Sequence, residues 1–569
     1  MKIDLGLLSK DFADVEFFVA CIFPAKSPEF HGNGTELQVE VSPQFWAVSS
    51  RAPSSRAGLV HKLADELVVF RGYEASLGVH SYSPESELTQ IAASERLENG
   101  VFAFIKFDPV AQSAIVKNDA FGMSPIYYRE ENGTWFFASH PSLIHRAGDA
   151  PDMTSWACLM QNSYILDNRS FYRDIKRFAA GSEMHISRNG HETRQWFDFT
   201  QLPDGETPVD EHAAEVIEDA YRRSMERCLK LRVGEVVLPF TSGFDSRRFF
   251  AFLVRNKVDF KTVTCQSFAR KHGRDYEIDS VFAPRIAKAF GVPSEVVSAS
   301  SPQQYYEDCL KRQRLIGTET FMHNWAMPLM HWLSRRPPSL IFDGLAGDVF
   351  GNSSFDIEGL EGNPRRSADD IVEKFATPHV LTHLSLPADS TNDYREKYRQ
   401  YVAKFLPNMN QSQLAFLQAR TRRAVSPWIS MMHPPGHVVA FPYCDIDFAR
   451  TALKYDPGQK YARKLQGECL QRFYPEFCDF EGTRKLPPGH PPVDREVTLA
   501  LDQAEDRYVY GDASIARAAR RYLNFPNAAI LWISQFVPAL RRRRDWVFRP
   551  LLTVLRTQKQ ALPYIDLQG

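Results

Sequence analysis

The stretch Val236-Val237-Leu238-Pro239-Phe240-Thr241-Ser242-Gly243-Phe244-Asp245-Ser246-Arg247-Arg248-Phe249-Phe250 decides the fold of this chain. An apolar strand runs into a turn of small and hydroxyl residues, and a helix follows at once. Small side chains at such a turn let the backbone come close to an anion, towards which the amides of the helix start and the hydroxyls of Thr241, Ser242 and Ser246 can point. The turn therefore reads as a phosphate cradle formed by Thr241, Ser242, Gly243 and Ser246. It is not the P-loop of kinases and GTPases, because GxxxxGK[ST] is absent and the turn holds no lysine. Asp245 would repel a phosphate directly, but it suits a Mg²⁺ ion that bridges carboxylate and phosphate oxygens.

Downstream of this motif, apolar strands alternate with helices. The pattern predicts a strand at Glu235–Phe240, a helix at Arg247–Asn256, a strand at Lys261–Cys265, a helix at Ile278–Phe290 and a later strand at Ser339–Asp343. That rhythm implies a parallel sheet with crossover helices and ligands at the carboxyl ends of its strands. Upstream, a helix is expected from Asp210 to about Leu231, behind a linker at 197–208 that is rich in Pro, Gly and Asp. The first third is rich in strands, with candidates at Val15–Phe23, Glu36–Val41, Phe102–Asp108, Ser113–Lys117 and Trp135–Ala138. The chain thus divides into a first domain, 1–200, and a second, 201–569.

With 569 residues, 44% of them hydrophobic, and a net charge of -1, the chain lacks the basic excess that non-specific nucleic-acid binding needs. Its eight cysteines show no CxxC pair, which argues against a disulfide framework or a zinc site and fits a reducing, cytoplasmic setting. The N-terminus lacks the basic region of a signal peptide, and no apolar run reaches the length of a transmembrane helix. Ala528–Leu540 comes nearest and leads into Arg541–Arg544 and then Trp546. It reads as a packed helix with a solvated basic end, the alternative being a segment that lies on an anionic membrane surface.

The turn at 241–246 resembles the pyrophosphate-binding loop of the asparagine-synthetase family, SGGxDS, with Thr241 for its first Ser and Ser242 for its first Gly. Asp343-Gly344-Leu345-Ala346-Gly347-Asp348-Val349-Phe350-Gly351 resembles the family's SGEGADELFGG. Asp279–Ala287 is similar to the helix after its second core strand, and Gly482–Pro487 to its late RxK loop. The resemblance implies ATP and Mg²⁺ as cofactors, with Asp245 and Asp348 binding the metal and Gly344 part of the nucleotide site. It also implies that the main chain around Val263 and Cys265 holds adenine, and that Lys485 stabilises charge at the reacting centre. The implied architecture is an α+β, glutaminase-like (Ntn-type) N-terminal sandwich, followed by an α/β parallel-sheet ATP-pyrophosphatase (adenine nucleotide alpha-hydrolase-like) domain.

In the first domain, Gly100–Phe104, Asn118–Tyr128 and Phe137–Ser139 resemble the family's GxFAF, RDxxGxxPLYY and FASE. The family's N-terminal nucleophile is expected to be missing. Residue 2 is Lys2, and Cys21 would be exposed only by removal of the residues before it. Arg71-Gly72 lies where the family has its Asn-Gly oxyanion pair, so glutamine hydrolysis is expected to be lost. On the acceptor side, Gly436–Asp445 corresponds to GVExRxPFLD, with its Glu and Arg replaced by apolar residues. His437 is the candidate base there, unless it is structural. The expected activity is that of an ATP-dependent, AMP-forming carbon–nitrogen ligase. It would adenylate a carboxylate and join it to a substrate amine, as in the cysteine-less β-lactam synthetases and lasso-peptide macrocyclases, with a small molecule or peptide as substrate and a precursor peptide or peptidase as possible company. An amidotransferase using free ammonia and a non-catalytic nucleotide-binding relative are the alternatives.

Overall fold

The computed structural model describes the chain except for residues 54–57, 94–96, 242, 272–273, 352–366, 376–378, 407, 461–463, 481–490, 536, 538–539, 541–542 and 567–569. Ser242 and Lys485 lie outside the described residues, as does the whole Gly482–Pro487 loop.

The first part is two antiparallel sheets packed face to face. One runs Gly190–Gln195, Ser182–Ser187, Ser113–Asn118, Gly100–Asp108, Glu66–Glu74, Val60–Leu63; the other runs Lys176–Arg177, Tyr127–Glu131, Thr134–Ala138, Phe18–Ile22, Phe45–Ser50, Leu37–Ser42. Strand alternation explains the layering. Phe18, Ala20 and Ile22 join Val69, Ile105, Phe107 and Val116 in the core between the sheets. Their neighbours Val19 and Cys21 face outward, into the core shared with Leu8, Phe12, Trp156 and Leu159 of helices Leu5–Phe12 and Met153–Asn162. Phe70, Phe102 and Phe104 on the other outer face pack with Leu88 and Ile91 of helix Glu85–Ala93. Each outer face is therefore covered by helix.

The second part is built on a five-stranded sheet in the order Ser294–Val297, Phe260–Cys265, Glu235–Pro239, Ser339–Phe342, Val438–Ala440. All four pairings are parallel. In chain order the strands run 3-2-1-4-5, so the direction of winding reverses between Glu235–Pro239 and Ser339–Phe342. The central strand is apolar on both faces, with Val236, Val237 and Leu238 fully buried, as a sheet covered on both sides requires. Helices Ala213–Leu229, Phe244–Arg255 and Asp279–Ala289 fall where hydrophobic spacing places them. Between residues 367 and 430 the described residues are mostly helical, and no sequence motif marks these helices.

Two expectations change. The segment 197–208 is not a loose linker: Phe197, Phe199 and Leu202 are buried, and the Phe121 and Phe197 rings lie 5.6 Å apart. Its backbone is tied down by Thr207 N–H donating to Lys454 O (3.0 Å) and Met409 N–H to Asp204 O (3.0 Å). The Pro and Gly residues shape a strap whose aromatic residues still demand burial. In the tail, the helix spans Phe525–Ile533 and leaves Trp532 and Ile533 exposed. Among the described residues no helix is long and apolar enough to cross a membrane, and all eight cysteines are free thiols.

The two parts are joined by buried charge. Glu319 accepts from Arg177 Nη1 (2.9 Å) in the sandwich and from Arg423 Nε (2.7 Å) and Nη2 (2.9 Å), with all three side chains essentially inaccessible. A carboxylate this deep is tolerated because two guanidinium groups and good geometry offset its desolvation. Glu319→Ala would strand both arginines, so we expect a loss of roughly 3–5 kcal/mol in stability, measured by urea unfolding.

Candidate functional site

The site forms at the carboxyl ends of the two strands that flank the reversal. Glu235–Pro239 delivers the 241–246 turn, and its hydrogen-bonded neighbour Ser339–Phe342 delivers 343–348. In the first turn, Ser246 Oγ donates to Thr241 O (2.9 Å), the Thr241 and Ser246 hydroxyls lie 3.0 Å apart, and Gly243 N–H donates to Thr241 Oγ1 (3.2 Å). Gly243, the N-cap of helix Phe244–Arg255, has no side chain of its own to cap the helix start. The positive end of that helix therefore faces the crevice, where it favours an anion.

Asp245 stands in the first turn of this helix, against the second loop. A Cβ on Gly344 would lie 3.5 Å from Asp245 Cβ, and one on Gly347 would lie 3.1 Å from Asp245 Oδ1 and 2.7 Å from Tyr443 Cε2. Glycine at 347 is thus what lets the two loops close on each other. Ala346 caps the short Gly347–Phe350 helix in a left-handed conformation (φ 68°), and Asp348 follows in its first turn, partly exposed. The residue after the fourth strand, Asp343, accepts Leu345 N–H (2.9 Å), and burial pushes its carboxyl up to about 6. Two loops that the sequence separates by about a hundred residues therefore meet through Asp245, Gly344 and Gly347.

Sequence reasoning did not reach three residues that hold this arrangement. Gln466 Nε2 donates to Asp245 Oδ1 (2.6 Å) and lies 3.3 Å from the Tyr443 hydroxyl. Tyr443 is fully buried; its burial, with the charge of Asp245 beside it, pushes its phenol well up. Arg248, fully buried, donates to Glu218 Oε2 (2.6 Å) and so pins the cradle helix to helix Ala213–Leu229. No local motif marks Gln466. Arg247 Nη1 donates to Phe480 O (3.2 Å), which ties the helix start to the residue just before the undescribed 481–490 segment.

The remaining candidates fall into two groups. Val263 and Cys265 lie on the strand next to the cradle, where Phe240 N–H donates to Val263 O (2.8 Å), and burial pushes the Cys265 thiol up to about 12. His437 is not brought to the crevice. It enters the Val438–Ala440 strand at the end opposite to the cradle, since Val438 pairs with Leu340 while Ala440 pairs with Phe342. There it is buried, donates from Nε2 to Leu333 O (3.1 Å), and has its basicity lowered to about 4 by burial. Its position at the wrong end of a parallel strand corrects the expectation that it serves as acceptor-side base. It lines a small cavity between the sandwich and the sheet, together with Glu16, Arg71, Ser430 and His433.

That cavity lies next to the start of Phe18–Ile22, the strand that carries Cys21. Cys21 pairs with Trp46 and Phe136 inside the sheet, is fully buried, and has its thiol pushed well above the usual range by burial. Glu16, two residues before this strand, accepts from Arg71 Nε (3.1 Å) and from the Tyr82 hydroxyl (2.5 Å), and His433 Nε2 lies 3.2 Å away. Burial alone would raise the Glu16 carboxyl, but His433, Arg71 and Tyr82 outweigh it and hold it at about 2. Gly72 has φ +100°, and a Cβ there would strike Val101 O. The Asp119 loop is organised in turn by its carboxylate, which accepts the N–H groups of Phe121 (3.1 Å), Met123 (2.9 Å) and Ser124 (2.9 Å).

Residues 91–197 match a family model described as a glutamine amidotransferase domain. The matched segment lies within the sandwich and contains the Asp119 loop. No curated protein matches the chain. Of the solved structures that match, two illustrate how slight the likeness is. One is a glutamine phosphoribosylpyrophosphate amidotransferase from B. subtilis complexed with ADP and GMP, 12% identical, with a TM-score of 0.21 over 52% of this chain and 62% of that one. The other, titled the structure of the allosteric regulatory enzyme of purine biosynthesis, is 11% identical, with a TM-score of 0.21 over 52% of this chain and 77% of that one. The chain thus spans under two thirds of the first, and superposition this slight transfers nothing from either. What the matched segment defines is a glutamine-amidotransferase-like domain within a larger chain.

Two outcomes are expected. Gly347→Ala forces Tyr443 or the loop to shift and should cost about 1–3 kcal/mol in thermal or denaturant unfolding. A carboxyl held below its ordinary value adds stability that is complete above about 4.5 and disappears as pH falls towards about 2. Stability should therefore fall through that window, and Glu16→Gln should flatten the slope when pH-dependent unfolding curves are compared.

Proposed function

We propose that the chain is an ATP-dependent synthetase that adenylates a substrate carboxylate in the crevice between the 241–246 and 343–348 loops and passes the acyl group to a substrate amine. The observation that carries this reading is the meeting of the two loops at the reversal of strand order. In open parallel sheets, ligands bind at the carboxyl ends of the strands at such a switch point. The helix start and the hydroxyls of Thr241 and Ser246 suit the phosphates of ATP.

Magnesium fits the donors present. Among the described residues no group of three or more His, Cys, Asp or Glu could cage an ion alone. Mg²⁺ is ordinarily held by one or two carboxylates together with water and substrate phosphates, and Asp245 and Asp348 supply that number. Bound there, it would neutralise charge on the departing pyrophosphate. The chain's own residues position the rest. Gln466 and Gly347 fix the Asp245 carboxylate, and Arg248 with Glu218 fixes the helix that carries the cradle. The substrate carboxylate attacks the α-phosphate, pyrophosphate leaves, and the amine then displaces AMP. Lys485, outside the described residues, is the candidate for the charge at this centre.

The fully buried Cys21 and the Glu16–Arg71 pair favour an amine that belongs to the substrate, a small molecule or a peptide, over ammonia released from glutamine. The match of 91–197 to a glutamine amidotransferase domain motivates the second reading, an amidotransferase that takes up free ammonia. Purified protein supplied with ATP, Mg²⁺ and a panel of carboxylates should release pyrophosphate. Asp245→Asn or Asp348→Asn should lower the rate roughly 100-fold or more. Release undiminished by both substitutions would sink the proposed site. Glutamate formed from glutamine would overturn the statement about the sandwich, and turnover driven by ammonium alone would favour the second reading.

A further inference from the structure

Near the C-terminus, the helix Phe525–Ile533 carries apolar residues on both faces, with Leu531 buried and Ala528 and Ile530 packed against the core. Its inward face carries Asn527 and Leu531, with Ser534 continuing the same line, all buried. Its outward face carries Phe525 (87% exposed), Trp532 (50%) and Ile533 (40%), and Val537 beyond it is 45% exposed. A surface helix ordinarily leaves polar residues, not large apolar ones, on its outward face. Large apolar side chains gathered on one exposed face mark a surface meant to be covered.

A further exposed aromatic residue is tied to the buried side of the same helix. His383 lies 3.2 Å, ring Nδ1 to side-chain Nδ2, from Asn527, and its ring packs edge-on against Trp546 (5.0 Å) at the start of helix Asp545–Gln560. Trp546 is itself 44% exposed. The nearby charge of Arg544 adds to burial in lowering the basicity of His383, which places that guanidinium at the same junction. Arg543 and Arg521 are exposed close by in the chain, and Arg520 and Arg544 are half-buried. Exposed Phe, Trp and Ile beside arginines is the pattern of a protein face that sinks its apolar side chains into the headgroup region while its cations meet acidic lipids. Tryptophan favours that depth because its ring is apolar with a polar N–H.

We infer that the face formed by Phe525, Trp532, Ile533 and Trp546, edged by Arg521, Arg543 and Arg544, docks the protein onto an anionic membrane surface. A second copy meeting this face about a twofold axis would set its own arginines against these, whereas an anionic lipid surface complements them. Docking there is independent of the chemistry proposed for the crevice, which lies on other elements.

The test is co-sedimentation of the full chain with phosphatidylcholine vesicles, with and without phosphatidylglycerol. Binding should require the anionic lipid and weaken at high salt. Phe525→Glu with Trp532→Glu should weaken it roughly tenfold or more. Arg543→Glu with Arg544→Glu should do the same for the electrostatic part, about tenfold or more. Unchanged circular dichroism and unfolding midpoints will show that these surface variants still fold, and the milder Trp532→Ser serves if the charged pair does not. No sedimentation with either vesicle overturns the inference, as does binding indifferent to lipid charge or to all the variants. So does a lipid-free dimer that Phe525→Glu with Trp532→Glu dissociates, since the face would then be covered by a second copy.

Discussion

The candidate site depends on one constraint: the hydrogen-bonded pairing of Ser339–Phe342 alongside Glu235–Pro239. Were the fourth strand to add at the other edge of the sheet, the 241–246 and 343–348 loops would be separated by two strands, and Asp245 would face neither Gly344 nor Gly347. Parallel strands end on the same side, so adjacency in the sheet becomes adjacency of the loops. The missing side chain at Gly347 then sets how closely they approach, and Tyr443 and Gln466 close the space behind Asp245.

Buried charges do comparable work at the junction of the two parts. Glu319 is shared by Arg177 from the sandwich and Arg423 from the helical region, while Glu16 is held by Arg71 and His433 from both sides of the same junction. Such groups are costly to desolvate and are satisfied only when both parts are in place. They make the sandwich a structural partner of the parallel sheet, whatever its own chemistry. Glu16 and Arg71 also occupy the region next to the start of the Cys21 strand with a closed ion pair.

Much of the chain is legible from pattern. Apolar runs such as Val236–Phe240 and Lys261–Cys265 are strands because a buried parallel strand needs apolar residues on both faces, and helix Asp279–Ala289 follows from its spacing. The strap at 197–208 was misleading because Pro, Gly and Asp signal irregular backbone, while the burial of Phe197 and Phe199 depends on Phe121, which is remote in sequence. Gln466 could not be found, since glutamine in a helix has no signature until a carboxylate is placed opposite it. His437 was left open between a base and a structural residue for a related reason. Sequence proximity to the acceptor-like segment says nothing about which end of the strand a side chain occupies, and the sheet puts it at the end away from the cradle.

By itself the sequence determined the local chemistry of this protein: hydroxyls and glycine between a strand and a helix, and aspartates just past two apolar strands. Those features are short-range and follow from residue type and spacing. Only the tertiary structure decided which of them meet. Strand order brought Asp245 to Gly347 and sent His437 to the far end, and packing turned the helix at Phe525–Ile533 so that its aromatic residues face outward. Pairing and packing join residues hundreds of positions apart, and no local pattern encodes the geometry of that contact.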